Sequence, residues 1–259
     1  MKGNGRIIAL IAVIAVVVVF VILNMTVFTV SKISVQNAVY SEYIDKQAIA
    51  ESSGIKLNSN IFFLNEKTAT QEIERANPYL EVTSIERKFP SQVVIHVTMR
   101  EAVMSMEIAN RTDYAILSVD LKILAIVDRS DPLYLMATHV DSVSISNPVV
   151  GEKLASEGAV NKALLDLGNV SEHEGLQFYS FFDGIHFENH SMYVELRSGV
   201  TIRIDNYETM SGETLQNAIR YALAVYRSFD ELAPERRSGY IFWDVSNPEE
   251  PVWRWSENG

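Results

Sequence analysis

The sequence contains no cysteine. That excludes a disulfide framework and leaves the stability of any exported domain to its hydrophobic core. Glycine is scarce, twelve residues spread thinly, and no glycine-rich phosphate loop or G-x-S-x-G elbow occurs. Positive charge is in short supply too: the formal net charge is −11. That balance argues against nucleic acid and against docking on anionic lipid by charge. What is present is ordinary for a globular protein, 47% hydrophobic and 21% charged, with length enough for one large domain or two modest ones.

Charge is also missing locally. No ionisable side chain stands between Arg6 and Lys32, and Ile7 to Leu23 is an unbroken run of 17 apolar residues. Extended through Val30, a helix would reach about 36 Å, against about 30 Å for a hydrocarbon core. The exit, NMTVFTVSK, carries no small-residue cleavage site, so a transmembrane helix over 7–30 is expected rather than a signal peptide. Lys2 and Arg6 would keep residues 1–6 cytoplasmic. They contribute +2, leaving −13 for residues 31–259, which would lie outside.

Past that run, ISVQNAV (33–39) alternates as a strand. Ser41 offers an N-cap to a helix marked by Ile44, Ala48 and Glu51 and ended by Gly54. A second helix opens at Asn65, with Ala69, Ile73 and Ala76 on one face, and Pro78 prevents its continuation. Two strands, Leu80–Lys88 and Ser91–Met99, are joined through Phe89-Pro90. In that corner Phe89 is expected in the core and His96 outward on the strand. The order is β-α-α-β-β, a helix pair packed on one sheet face.

With Asn77-Pro78-Tyr79, Arg87, Phe89-Pro90 and the alternating strand VVIHVTM, this region resembles the end of a POTRA domain of the FtsQ/DivIB family of bacterial cell division proteins. Gly54-Ile55 and the short tail before one apolar run add to the likeness. Downstream, MYVELRSGVTIRI, a helix from about Ser211 to Phe229 striped by Leu215, Ile219, Leu223 and Tyr226, and GYIFWDV resemble the family's second β-domain. The expected fold is α+β: tail 1–6, transmembrane helix 7–30, POTRA domain 31–101, a mostly antiparallel β-domain with a long helix over 102–247, and a C-terminal tail 248–259. The seam would fall at Arg100-Glu101.

Two patterns suggest chemistry. Ser53-Gly54-Ile55-Lys56 matches S-x-x-K, but Ser53 sits at a helix end and no S-D-N or K-T-G follows. His186 and His190 have i, i+4 spacing. FFDGIHFENHSMYVEL, however, reads as strand, turn, strand, which points the rings apart, and no cysteine completes a zinc site. No enzyme, cofactor or metal is expected.

The remaining signal is aromatic. Tyr240, Phe242 and Trp243 share one short strand, Val245 closes it, and Trp253 and Trp255 follow NPEEP. Aromatics on both faces of an unblunted strand near 240–246 suit addition of a partner strand. The resemblance implies the partners: small single-span coiled-coil division proteins of the FtsB/DivIC and FtsL type, with septal wall synthases beyond them, at the cytoplasmic membrane of the division septum. Tyr240, Phe242, Trp243, Val245 and Trp253 are the expected contacts. A membrane-anchored cell-wall enzyme or receptor is the second reading.

Overall fold

The computed structural model describes residues 4–37, 45–155, 157–232, 239–244 and 252–257. The chain divides into two compact units, Met1–Met99 and Arg100–Gly259.

The first unit begins with helix α1, Asn4–Thr26. Among the described residues no helix is long and apolar enough to cross a membrane, which corrects the transmembrane helix expected over 7–30. Part of the reason is where the helix stops. Val27 to Val30 leave it for the globular fold: the Val30 amide donates to the Ser59 carbonyl at 2.8 Å, Thr29 bridges Asn60, and the Val30 side chain is fully buried.

Strand β1 (Lys32–Asn37) follows, then α2 (Lys46–Ser52), α3 (Glu66–Ala76), β2 (Leu80–Lys88) and β3 (Gln92–Met99). The sheet order is β1-β3-β2, with β1 parallel and β2 antiparallel to the central β3. Ser41 and Ile44 lie outside the described residues. The described N-cap of α2 is Asp45, whose carboxylate accepts from the Gln47 and Ala48 amides at 2.9 and 3.1 Å. Gly54, at φ +65°, takes the left-handed turn that ends the helix. Asn65 caps α3 by accepting from the Thr68 amide at 3.1 Å.

Ile49, Ile61 and Ile73 meet Val35, Val93, Ile95 and Val97 in one core. Burying each such side chain contributes about 1.5 to 3 kcal/mol. Ala76 is exposed rather than on that face. Phe89 also departs from expectation: it is 56% exposed, outside the core. The alternation of β3 directs Val93, Ile95 and Val97 inward, but it does not govern the corner preceding that strand.

The second unit is one nine-stranded sheet, order β12-β11-β10-β9-β8-β7-β4-β5-β6. Its strands are β4 (Met104–Ile108), β5 (Tyr114–Leu117), β6 (Ile123–Val127), β7 (Thr138–Ile145), β8 (Phe182–Glu188), β9 (Ser191–Leu196), β10 (Val200–Asp205), β11 (Gly239–Asp244) and β12 (Val252–Ser256). Three neighbouring pairs are parallel: β4 with β7, β7 with β8, and β10 with β11. Parallel neighbours need a crossover. Helix α5 (Ala159–His173) supplies one between β7 and β8, and α7 (Gly212–Leu232) another between β10 and β11; short helices α4 (Pro132–Met136) and α6 (Phe178–Phe181) complete the set.

Leu164, Leu167 and Val170 of α5 pack with Leu215, Ile219 and Leu223 of α7 over the inward residues of the strands, such as Val194 and Ile202. The alternation in 102–205 points to short strands only, and helix α5 lies hidden among them. Within 248–259, expected as a C-terminal tail, Val252–Ser256 is a strand of the sheet.

Near the start of this unit the guanidinium of Arg100, a nearly buried side chain, lies 3.4 Å from Asp120. Lys153 Nζ lies 2.6 Å from the same carboxylate, and the Ser118 hydroxyl donates to it. Burial works to raise the Asp120 pKa, but these donors and cations outweigh it and hold the carboxyl at about 2.

Candidate partner interface

The residues of β11 alternate between two surfaces. Ile241 is fully buried in the core beneath α7, and Trp243, two residues on, takes the same side. Tyr240 and Phe242 point to the opposite face, where the Arg203 guanidinium sits 5.0 Å over the Phe242 ring. Strand β11 has neighbours on both sides, β10 in parallel and β12 antiparallel. It is therefore not the sheet edge that the sequence suggested. The edge is β12.

Gly239 makes this pairing close. It adopts φ +108°, and a Cβ there would stand 2.6 Å from the Ser256 carbonyl oxygen and against the Trp255 indole. Only glycine fits both the conformation and the space.

Trp243 pairs directly across from Trp253, with ring centroids 5.3 Å apart and planes at 56°. Together with Met210, Thr214, Asn217 and Tyr221 they line a groove of about 240 Å³ beside α7, floored by Ile204. Tyr221 is 61% exposed at its rim. Trp253 Nε1 itself is buried and has no hydrogen-bond partner among the described residues. An indole N–H is a donor only, and leaving it unpaired away from water costs about 1 to 3 kcal/mol. An apolar groove next to the edge strand β12 can accept an apolar side chain, and the edge itself can pair with a partner's main chain.

The five expected contacts therefore separate. Trp243 and Trp253 line the groove, Tyr240 and Phe242 occupy the other face, and Val245 lies outside the described residues. Sequence reading missed Tyr221 and Asn217, which come from α7. The available signal was an aromatic off the buried stripe: Tyr221 follows Ile219 by two residues, onto the helix's polar side.

The candidate chemical groups are occupied elsewhere. Ser53 caps α2 with its hydroxyl donating to the Ala50 carbonyl at 2.5 Å and accepting from the Ile55 amide at 3.2 Å. His186 lies 3.3 Å from Glu195 and stacks on Tyr193, whereas His190 lies 3.0 Å from Glu208. The two rings have different partners. Among the described residues no group of three or more potential ligands is placed to hold a metal. One serine–histidine pair was not foreseen: Ser105 Oγ is 2.7 Å from His139 Nδ1. Ser105 is buried, burial lowers the His139 pKa, and Tyr134 stacks on the imidazole. The Ser105 hydroxyl is thus buried, whereas the imidazole it meets is half-buried beneath Tyr134.

Residues 28–100 match the family model described as "POTRA domain, FtsQ-type". The chain carries an FtsQ-type POTRA domain. Three curated relatives extend the likeness, each named "Cell division protein DivIB". One from Clostridium botulinum strain Hall is 36% identical over 91 residues, 35% of this chain and 33% of the relative. One from the Loch Maree strain is 39% identical over 75 residues, covering 29% and 28%. One from Clostridium tetani is 27% identical over 135 residues, covering 52% and 48%. The matches thus span less than half of each relative's own length. The resemblance to the FtsQ/DivIB family read from the sequence holds, and the POTRA domain is the part that carries it.

Proposed function

We propose that this protein is a non-catalytic scaffold of the bacterial division machinery. It binds other division proteins outside the cytoplasm and helps to organise septal peptidoglycan synthesis. The POTRA match over residues 28–100, together with the DivIB relatives, is the observation that carries this reading. The interaction element is assigned to the second unit: the β12 edge takes a partner strand by main-chain pairing, and the Trp243–Trp253 groove takes an apolar anchor beside it. The partners assigned are the small single-span coiled-coil proteins of the FtsB/DivIC and FtsL type, with septal wall synthases further along the assembly. Tyr240 and Phe242 then support the strand, while Trp243, Trp253 and Tyr221 make contact.

The test uses the full chain in dividing cells, with a photo-crosslinking residue at Val252 or Arg254 of β12 and, as a control, at Glu72 on α3. Crosslinks from β12 to a small coiled-coil membrane protein are expected, with none from Glu72. Recovery of a wall glycan fragment from β12, or no adduct there while the cells divide normally, would overturn the assignment.

A further inference from the structure

Three phenylalanines cluster on the surface of the POTRA domain where the chain leaves α1. Phe28 lies 5.2 Å from Phe62 and 6.3 Å from Phe89, and Phe62 lies 5.2 Å from Phe89, measured between ring centroids. Phe62 is 43% exposed, Phe89 56%, and Val27 is exposed beside them in sequence. The cluster is held in place from below. The Ile61 amide donates to the Phe28 carbonyl at 2.9 Å, and the Ser31 amide to the Ser91 carbonyl at 2.8 Å. Three separate segments are thus tied together to present apolar rings to the outside, whereas the core beneath uses only aliphatic side chains.

No donor or acceptor belongs to these rings, so nothing in the cluster selects a polar partner. The adjoining surface decides what covers it. Helix α1 ends at Thr26, two residues before Phe28, and its described side chains Leu10 to Ile22 are apolar and exposed on every side of the helix. A protein partner would cover one stripe of such a helix and leave the rest wet. Lipid is the medium in which none of those faces stays wet, and phenylalanine is among the apolar side chains that seat at the boundary between acyl chains and headgroups.

We propose that the Phe28–Phe62–Phe89 cluster is a lipid-contact surface, by which the POTRA domain rests on the membrane at headgroup depth. The rings insert along the boundary, without a crossing. Contact restricts the domain to one orientation against the lipid, because the three rings come from three segments and define a plane. This reading is independent of the partner assigned to β12.

The absence of native cysteine makes the test direct. A nitroxide label is placed on the full-length protein at Phe89→Cys, or at Ser91→Cys to spare the ring. A control label goes to Glu72→Cys on α3. Each protein is bound to vesicles of phosphatidylcholine and phosphatidylglycerol, and label accessibility is read against oxygen, which partitions into lipid, and against a water-soluble nickel chelate. At 89 and 91 the oxygen-to-nickel accessibility ratio should rise at least threefold on vesicle binding, and at 72 it should stay unchanged. Bound protein whose labels at 89 and 91 remain as open to nickel as the control would overturn the proposal. A rise that appears without vesicles and scales with protein concentration would overturn it too, since a second copy would then be the cover. Phe62→Ser with Phe89→Ser should abolish the rise at 91 while circular dichroism stays unchanged.

Discussion

Two aromatic clusters reach the surface of this protein, and they differ in kind. The POTRA cluster is built from phenylalanine alone, Phe28, Phe62 and Phe89. The cluster beside α7 is built from Trp243, Trp253 and Tyr221, with an unmet indole N–H and a strand edge next to it. Phenylalanine offers only area. Tryptophan and tyrosine offer area and a directed polar group, which is why they dominate protein interfaces. The first surface suits a medium without hydrogen-bond geometry, and the second suits a partner whose backbone has it. Aromatic composition, rather than exposure, tells the two apart.

The comparison can be broken most forcefully through the cores beneath. Ile95 is fully buried on the central strand of the POTRA sheet, and Ile202 is its counterpart in the large sheet. Truncating either to alanine should cost about 2 to 5 kcal/mol. The smaller core has less in reserve, so Ile95→Ala should unfold the POTRA domain at the lower urea concentration and Ile202→Ala should leave a measurable transition. Equal midpoints would show that the two units share one cooperative transition.

Next in size is the groove. Trp253→Ala should weaken partner capture by about 2 kcal/mol, or roughly thirtyfold, in a binding titration. Trp253→Phe keeps most of the ring and removes the unmet donor. It should therefore leave folding stability unchanged or raised while still weakening capture. Unchanged affinity in Trp253→Phe would separate the indole N–H from recognition.

A smaller effect is set by pH. Asp120 is lowered from the 3.8 of a free side chain to about 2 by Lys153, Ser118 and Arg100, against the opposing effect of burial. A depressed carboxylate stabilises the fold above the unfolded value, and that contribution fades as pH falls from near 4 through 2. The shift corresponds to about 1 to 2 kcal/mol after allowing for solvent screening. Asp120→Asn should remove it at neutral pH and flatten this part of the acid limb of the second unit's stability profile. The smallest effect is expected at Phe89. As a surface ring, its truncation to alanine should cost under about 1 kcal/mol in thermal or urea unfolding. A loss of 3 kcal/mol would return it to the core.

The two halves also differ in how openly the sequence displays them. In the POTRA domain the structure is punctuated locally: Gly54 ends α2, Asn65 caps α3, and alternation in 92–99 marks the central strand. Phe89 misled because a corner has no periodicity to state which way a ring turns. The second unit depends on parallel pairings between distant segments, and the crossover helix α5 hides among short strands. Its apolar spacing, Leu164, Leu167 and Val170, is visible once the parallel join of β7 and β8 requires a helix there. Within the candidate interface, Trp243 and Trp253 were legible as aromatics, but their pairing was not. Which strand forms the edge follows from β12 turning back on β11, and no local pattern encodes that.

Strand β12 comes after the eight other strands of its sheet in chain order. A chain without β11 and β12 would still hold both long helices and most of its core, but its sheet would end at β10 on that side and the groove would lack Trp243 and Trp253. Docking of β11 and β12 therefore moves the edge outward from β10 and brings the two indoles together, so the candidate surface depends on strand order rather than on the core beneath it.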